Sequence, residues 1–280
     1  MEQLVQSRGI NRIVAGQDTA DGAGVRLIRV IGGPQLPQLD PFLLLDHFVS
    51  DNPDDYIGGF PPHPHRGFET VTYLLAGQVE HRDNAGHTGI LETGGVQWMT
   101  AGRGVIHSEM PQQQDGLLSG FQLWVNLPAG QKMIAPRYQE FDREMIPLER
   151  RNDGIEVRVV AGETSRQTAG PVRELVTPAL FFDISMPSGS RFIEPLPETY
   201  NGFVYLIEGA LSVQGTEVKG RNLAVLDQGD SLEILAQQSS RLLLVAGQPH
   251  NEPIARRGPF VMNSESELQQ AFNDYQEGRF

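Results

Sequence analysis

Cysteine is absent from the 280 residues of this chain. Disulfides, thiolate nucleophiles and zinc–thiolate sites are therefore excluded, and nothing in the composition indicates an oxidising compartment. Basic charge is also scarce, since 22 lysines and arginines stand against 35 aspartates and glutamates, a formal net charge of −13. A broad basic surface for nucleic acid is thereby excluded, and we expect no direct binding to nucleic acid.

Long apolar runs are missing as well. No stretch approaches the roughly 20 apolar residues of a membrane span, and residues 1–4 show neither the basic nor the apolar region of a signal peptide. We therefore expect a cytoplasmic protein without membrane association. The phosphate-binding loop, the dinucleotide fingerprint and the G-x-S-x-G elbow are absent too, which leaves other side chains to carry any chemistry.

Short apolar or alternating runs, separated by turn residues, are what the chain has instead. They lie at residues 25–31, 70–75, 155–160, 202–207 and 241–245. This pattern is typical of an all-β sandwich or barrel. Near the C-terminal end, Ser264 and Glu267 have capping-box spacing, and apolar residues follow at helical intervals at Leu268, Ala271 and Tyr275. We expect one short terminal helix docked on the body.

A weak internal repeat divides the chain in two. The segment around Tyr73 resembles the segment around Tyr205, and a glycine-containing turn follows each at nearly the same distance. Two copies of one β unit fit the length of the chain. We predict an N-terminal metal-binding domain over residues 1–137 and a C-terminal domain without metal over residues 138–280.

The second copy lacks the histidines of the first. Counting back from the two tyrosines places Pro195 and Pro197 where the first copy has His63 and His65. Counting forward from the two turns places Arg241 near the position of His107. If the repeat is real, the chain holds one metal, in its N-terminal half.

Two pairs of metal-ligating side chains are the strongest functional signal. His63 and His65 are separated by one residue, and so are His107 and Glu109. On a β-strand both members of such a pair lie on one face, so two strands can bring four ligands to one point. Three imidazoles and a carboxylate suit a divalent first-row metal and leave coordination positions open. The alternative is a solvated loop beside a core histidine.

Iron is the leading candidate for this metal. Manganese, nickel, copper, cobalt and zinc stay open, because ligand type selects the metal only loosely. Glu69 is an ambiguous neighbour: it lies four residues after His65 and therefore points inward with the histidines if the strand is regular. It is either a fifth ligand or a carboxylate that orients an imidazole from behind.

Large apolar residues crowd the segments that carry these ligands. Most are expected in the core, but some must line the open coordination face and make it fit for a flat organic molecule. We assign four of them to this pocket: Phe60, Phe68, Trp98 and Met99.

The two motifs resemble those of the cupins, which are small jelly-roll barrels. More narrowly, the chain resembles the pirin family in three segments, GFPPHPHRGFETVTYLL at 59–75, MTAGRGVIHSE at 99–109 and GFQLWVNLP at 120–128. The resemblance implies an all-β fold of two tandem cupin barrels. It also implies one iron in the first barrel, bound through His63, His65, His107 and Glu109, with Glu69 behind the ligands and no metal in the second barrel.

Two functions follow from this resemblance. One is a metal-dependent dioxygenase that opens a flavonol such as quercetin with O₂ and releases carbon monoxide. Glu109, paired with Glu69, is then the expected general base for the flavonol hydroxyl. The other is an iron- or redox-sensing regulator that binds a transcription factor or a metabolic enzyme without essential catalysis. The ligands we expect are a small aromatic substrate and O₂, with a protein partner in the regulatory alternative, and we expect a monomer.

Overall fold

The computed structural model describes residues 6–280. Residues 1–4, on which the expectation of no signal peptide rests, lie outside the described residues. Nearly all regular structure is β, as the short alternating runs predict. The strands of the first half are β1 (Ile10–Ala15), β2 (Gln17–Asp21), β3 (Val25–Ile31), β4 (Phe42–Ser50), β5 (Phe60–His65), β6 (Phe68–Ala76), β7 (Gln78–Asp83), β8 (Thr88–Glu92), β9 (Val96–Thr100), β10 (Val105–Pro111), β11 (Leu118–Asn126) and β12 (Arg137–Phe141).

The second half continues in the same way and ends in one α-helix. Its elements are β13 (Leu148–Arg150), β14 (Glu156–Ala161), β15 (Ala179–Met186), β16 (Arg191–Pro195), β17 (Asn201–Glu208), β18 (Ala210–Val213), β19 (Thr216–Lys219), β20 (Asn222–Leu226), β21 (Ser231–Ala236), β22 (Ser240–Gly247), β23 (Ala255–Arg257), β24 (Phe260–Met262) and α1 (Glu265–Gln276). Short 3-10 helices lie at Pro53–Asp55, Ala129–Gln131, Arg143–Met145 and Asn152–Gly154.

The described residues form two compact units. The N-terminal unit comprises residues 17–143 and 250–280, and the C-terminal unit comprises residues 6–16 and 144–249. The change of unit after residue 143 lies near the expected boundary at 137–138. Both ends of the chain, however, join the unit of the other half, so the units are not contiguous halves. Contiguous domains over residues 1–137 and 138–280 stay a prediction.

The N-terminal unit is a sandwich of two antiparallel sheets. The larger sheet has the order β12-β9-β6-β11-β4-β3-β2, and the smaller one has the order β5-β10-β7-β8. Apolar side chains of both sheets meet in one cluster that includes Leu27, Phe48, Leu74, Val79 and Leu91. This packing buries the apolar face of each sheet.

The C-terminal unit repeats this arrangement. Its larger sheet has the order β1-β20-β17-β22-β15-β14-β13, and its smaller sheet has the order β16-β21-β18-β19. Tyr73 on β6 and Tyr205 on β17 occupy the third strand of their sheets, and both are fully buried. The sequence repeat thus corresponds to two copies of one fold.

One part of the sequence alignment between the copies is wrong. Arg241 lies on β22, whose counterpart in the first copy is β11, whereas His107 lies on β10, whose counterpart is β21. The turn at residues 227–230 precedes β21 and therefore matches the turn at 101–104, not the one at 92–95. Two similar glycine-containing turns in each copy caused the mismatch.

The terminal helix forms where the capping box predicts it. Ser264 is its N-cap, and the Ser264 side chain accepts a hydrogen bond from the Glu267 amide. Leu268 and Ala271 are buried and pack with Phe260 of β24. The helix therefore belongs to the N-terminal unit rather than to the C-terminal half in which it was expected. Within residues 6–280, no helix combines the length and apolar character that crossing a membrane requires.

Candidate metal centre

Strands β5 and β10 place the two histidine-containing pairs side by side. They are antiparallel neighbours, with His107 opposite His63 and Val105 opposite His65. His63 and His65 share one face of β5 because a single residue separates them. A shift of register between His107 and Glu109 marks a bulge in β10, so that Glu109 lies opposite Phe60.

Three imidazoles meet at one point. The ring centroids of His63 and His107 are 4.5 Å apart, those of His63 and His65 4.7 Å and those of His65 and His107 5.1 Å. One ligand nitrogen from each ring lies within 4.8 Å of the others. The Nε2 atoms of His63 and His65 are 3.0 Å apart. This spacing is what two ligands at right angles about 2.1 Å from one metal would show.

The unsatisfied nitrogens of this cluster fit a metal ion. His107 is buried, and within residues 6–280 neither of its ring nitrogens has a hydrogen-bond partner. A buried polar group without a partner is costly unless something else satisfies it. The Nδ1 of His63 lies 2.9 Å from the Pro61 carbonyl oxygen. Donation to that oxygen leaves the Nε2 lone pair free and fixes the ring, as carbonyls do for metal-bound histidines.

Burial keeps two of these imidazoles, those of His65 and His107, neutral. It lowers the pKa of His107 to about 4, against the opposing effect of Glu109, and the neighbouring His63 lowers it further. Burial likewise holds the pKa of His65 well below its ordinary value, with His107 and His63 adding to the effect. A neutral imidazole offers a metal its lone pair without first losing a proton, so protons do not compete with metal at neutral pH. The cluster of His63, His65 and His107 could therefore hold a metal ion.

Glu109 lies beside this cluster and is held by neighbouring side chains. Its carboxylate accepts a hydrogen bond from Thr72 Oγ1 at 2.9 Å and from Gln122 Nε2 at 3.1 Å. It is buried, and it lines the same cavity as His63 and His65. The tight group of ligand atoms comprises the histidines alone among the described residues. Metal ligation by Glu109 therefore stays a proposal.

Glu69 lies on the face of its sheet opposite to the one that carries Thr72. Its carboxylate accepts hydrogen bonds from Trp98 Nε1 at 3.0 Å and Thr100 Oγ1 at 2.6 Å, and it is fully buried. Thr72, three residues later on β6, faces Glu109. The expectation that Glu69 points inward with the histidines is corrected: β5 ends at His65 and β6 begins at Phe68, so the turn between them breaks the alternation. Its expected role as a general base has no support from this position.

A cavity of about 490 Å³ opens onto the cluster. That volume falls within the roughly 300–1,000 Å³ of typical small-molecule sites. Most of its walls are apolar and come from β3, β4, β5, β11 and the segment between β23 and β24. The apolar lining consists of Leu27, Leu44, Phe48, Phe60, Pro61, Trp124 and Pro259.

Of the four residues assigned to the pocket from the sequence, Phe60 lines this cavity and the others do not. The placement of those three is corrected. Trp98 Nε1 donates a hydrogen bond to Glu69, on the face of the sheet opposite to Thr72. Met99 packs in a core cluster with Tyr138, and Phe68 packs behind the cavity wall, with its ring centroid 4.3 Å from that of Trp124. Hydrophobicity alone does not distinguish a residue that lines the cavity from a residue packed in the core behind it.

Sequence reasoning missed the polar and aromatic residues of β11. Gln122 and Trp124 both face the cavity, because they are two residues apart on one strand. A glutamine in the middle of an apolar strand was the available signal. His81 is buried, with Nε2 3.2 Å from Glu140. His87 is exposed and contacts Asp83, and His47 is stacked on Phe121.

Residues 250–280, which belong to the N-terminal unit, hold the loop that follows His65 in place. The amide of Val261 donates to the Arg66 carbonyl at 3.0 Å. The buried Arg66 guanidinium donates to Asp274 of α1 at 2.7 Å and lies 4.2 Å from the ring centroid of Phe280. Lys132 Nζ donates to the carbonyls of both Gly67 and Val261. Residues far apart in the chain thereby fix the loop that directly follows the candidate ligand His65.

The Arg66–Asp274 pair predicts a pH-dependent stability. Hydrogen bonds from Arg66 and Arg279 hold the pKa of Asp274 below its ordinary value. A carboxyl with a lowered folded-state pKa stabilises the fold above its unfolded value of about 3.9, and that contribution is lost as the pH falls further. We expect Asp274→Asn to lower the free energy of unfolding by about 1–2 kcal/mol at pH 7.

Urea denaturation of chelator-treated protein between pH 7 and pH 2 measures this effect. The difference between wild type and Asp274→Asn should shrink toward pH 2. Glu265→Gln is the control, because Glu265 pairs with Arg257 at an exposed position of the same helix, and it should change little. A difference that stays constant across the pH range would contradict the role of the Asp274 charge.

Comparison with known proteins gives matches along the whole chain. The pirin family model matches residues 24–125, and the model for the pirin C-terminal cupin domain matches residues 181–280. A pirin-like protein of Caulobacter vibrioides is 49% identical over 273 residues, which cover 98% of this chain and 99% of that relative. A Pseudomonas aeruginosa protein with the provisional name quercetin 2,3-dioxygenase is 45% identical over 281 residues, covering 98% of this chain and 99% of the relative.

A solved structure shows the same fold. The crystal structure of a quercetin 2,3-dioxygenase from Acinetobacter baumannii superimposes with a TM-score of 0.91 at 34% identity, covering 98% of this chain and 99% of that one. The expected all-β fold with two cupin domains is thereby confirmed.

Proposed function

This chain belongs to the pirin family, and we propose that it is an iron-dependent dioxygenase that opens the heterocycle of a flavonol such as quercetin with O₂, releasing carbon monoxide. The observation that carries the proposal is the largely apolar cavity that reaches a carboxylate and a cluster of three mutually facing histidines, two of which are buried. The similar structure from Acinetobacter baumannii, called a quercetin 2,3-dioxygenase, supports this reaction.

The residues that would hold the metal are His63, His65, His107 and Glu109. When bound, the metal supplies Lewis acidity toward the flavonol oxygens and redox chemistry toward dioxygen. The protein contributes three nitrogen donors and one carboxylate, which leave coordination positions free for substrate on the cavity side. The donor set suits iron, and neither it nor the fold selects iron over other first-row metals.

Glu109 is positioned to take the hydroxyl proton of the flavonol. Its Oε1 accepts from Thr72 Oγ1 and, at longer range, from Gln122 Nε2, whereas within residues 6–280 its Oε2 accepts only from Gln122. Oε2 is therefore the oxygen with more capacity for a proton. Thr72 and Gln122 hold the carboxylate toward the cavity, which keeps the acceptor in place when the substrate arrives.

The aromatic and apolar side chains of the cavity walls suit a flat ring system. Phe60 and Phe48 stand near the carboxylate, and Trp124 stands beside His65, with ring centroids 5.2 Å apart. Apolar side chains around the open coordination face displace water from the reacting atoms and strengthen the electrostatic interactions there. An aromatic substrate gains stacking contacts that a sugar or a phosphate ester would not.

The test is turnover by purified, metal-reconstituted protein. Quercetin and O₂ are mixed with protein loaded with Fe(II), and in parallel with Mn, Ni, Cu or Co, and loss of flavonol absorbance is followed together with carbon monoxide release. We expect turnover with at least one of these metals, and none after chelation. Stoichiometric metal binding without turnover for any metal would contradict the proposal and favour the iron- or redox-sensing regulator.

A single substitution tests the proton acceptor. Glu109→Gln keeps the shape of the side chain and removes its basicity, so we expect turnover to fall at least about 100-fold. Metal content of the variant is measured separately, because Glu109 is also a proposed ligand. Glu80→Gln on the neighbouring strand β7 is the control, since Glu80 pairs with the exposed Arg82. Glu109→Gln with unchanged turnover would exclude the role of Glu109 as base.

A further inference from the structure

Two arginines, Arg29 and Arg256, line the cavity, and they differ in their partners. Arg29 is neutralised: its Nε and Nη2 donate to the two carboxylate oxygens of Asp46 at 2.9 and 2.7 Å, and its Nη2 also donates to Asp21 at 2.8 Å. This bidentate geometry satisfies the guanidinium with protein carboxylates. Arg29 therefore has little capacity left for a ligand.

Arg256 is bonded to no carboxylate among residues 6–280. The one hydrogen bond from its side chain in the described part of the chain runs from Nη1 to the Leu43 carbonyl oxygen at 3.0 Å. Its guanidinium carbon lies 4.8 Å from the ring centroid of Trp124, so the cation is stacked on an aromatic wall of the cavity. The remaining N–H groups of the fork are free for an acceptor that enters from the cavity.

Arg256 is exposed at the cavity wall and only partly desolvated there. Burial lowers the pKa of Arg256, and the like charge of Arg29 lowers it further, against the weaker opposing effects of Asp46 and Asp21. A guanidinium that is partly desolvated gains more from a carboxylate than a solvated one does. The bound carboxylate would complete for Arg256 the pairing that Asp46 provides for Arg29.

Trp124 links this cation to the candidate metal centre. Arg256 lies over the indole ring of Trp124, and the centroid of that ring is 5.2 Å from the centroid of the His65 ring. A molecule lying along Trp124 would therefore reach the histidines with one end and Arg256 with the other. The wall between these ends is apolar, which requires a ring system there rather than a polar chain.

We propose that the ligand of this cavity is an aromatic carboxylate, with its ring system against Trp124 and Phe60 and its carboxylate on the guanidinium of Arg256. The inference rests on the proposed function in that the cavity is taken as the substrate site, and it names the substrate class more closely: among aromatic ring systems that could be oxidised near the histidines, the cavity prefers one that carries a carboxylate at its other end. Arg256 is then the residue that selects an anionic ring system over its neutral counterpart.

The test is equilibrium binding of a matched pair of probes, 2-naphthoate and its neutral isostere 2-naphthamide, by isothermal titration calorimetry. Chelator-treated full-length protein is used first, so that the carboxylate cannot bind a metal instead. We expect 2-naphthoate to bind at least about tenfold more tightly than 2-naphthamide, as one charge-assisted, bidentate contact implies. In Arg256→Gln the two affinities should become equal, and Arg256→Lys should retain part of the preference.

Arg257→Gln is the matched control. Arg257 is the next residue on β23, exposed, and paired with Glu265 rather than facing the cavity. It should leave the preference unchanged, and thermal melting checks that all variants are folded. Equal binding of the two probes to the wild type, no binding of either, or a preference that survives Arg256→Gln would each overturn the inference. Absence of quercetin turnover with an intact, Arg256-dependent preference would instead contradict only the proposed flavonol reaction.

Discussion

Replacement of His107 by alanine is expected to abolish stoichiometric metal binding and, with it, all turnover. His107 is the only one of the three clustered histidines whose two ring nitrogens both lack a protein partner within residues 6–280. It therefore contributes to the site without helping to hold the metal-free fold. We expect the metal affinity to fall by more than 100-fold, beyond the roughly 10–100-fold that loss of a residue supporting a ligand causes.

The same geometry predicts an unusual effect on stability. Because His107 leaves buried polar atoms unsatisfied, removing it should cost the metal-free protein less than a buried side chain of its size normally would. Metal should raise the melting temperature of the wild type and leave that of His107→Ala unchanged, since ligands stabilise only the state that binds them. Metal content after reconstitution and thermal melting with and without metal measure both effects.

His87→Ala is the control for this experiment. His87 is exposed and contacts Asp83 on the neighbouring strand, outside the cluster. The variant should bind one metal per chain and melt like the wild type. Full metal content in His107→Ala, or equal losses in the two variants, would show that the three histidines are not the metal site.

The parts of this site that the sequence predicted are those set by local geometry. His63 and His65 share a face because strand residues alternate, and β10 lies beside β5, so His107 reaches them. The capping box at Ser264 is equally local, and the helix begins there. Strand alternation and capping depend on residues a few positions apart, so a single sequence contains what is needed to predict them.

The predictions that failed needed information from distant residues. Glu69 was placed with His65 by counting, but the turn at Arg66 and Gly67 starts a new strand in another sheet. Trp98 looked like a pocket residue because it is aromatic, yet its indole binds Glu69 behind the sheet. Arg256, which lies 130 residues after the end of the cavity strand β11, lines the cavity because the C-terminal segment packs back on the N-terminal unit. No pattern in the sequence around it indicates that return.

Gly67 is the glycine at which the contact between the loop after His65 and the C-terminal segment leaves the least space for a side chain. Its φ is +89°, a conformation that L-residues with a side chain rarely adopt. A Cβ atom there would overlap the carbonyl oxygen of Val261. That carbonyl cannot move freely, because it accepts from Lys132 Nζ at 3.0 Å and the Val261 amide donates to Arg66. An added methyl group would therefore push β24 away from the loop or displace the loop itself.

Gly67→Ala is accordingly expected to lower the free energy of unfolding by about 3 kcal/mol or more, from backbone strain and overpacking together. Metal affinity should fall as well, since His65 lies two residues before the displaced position. Urea denaturation of chelator-treated protein measures the stability, and metal content after reconstitution measures the site.

Gly86→Ala separates the two causes of this loss. Gly86 has nearly the same φ, +91°, but no atom lies within 4 Å of its would-be Cβ. Only the backbone strain remains there, so we expect a loss of about 1 kcal/mol and unchanged metal binding. Equal losses in the two variants would mean that the contact between Gly67 and Val261 contributes nothing. A loss confined to Gly67→Ala would show that the C-terminal segment, and not strand alternation alone, holds the candidate metal centre in its geometry.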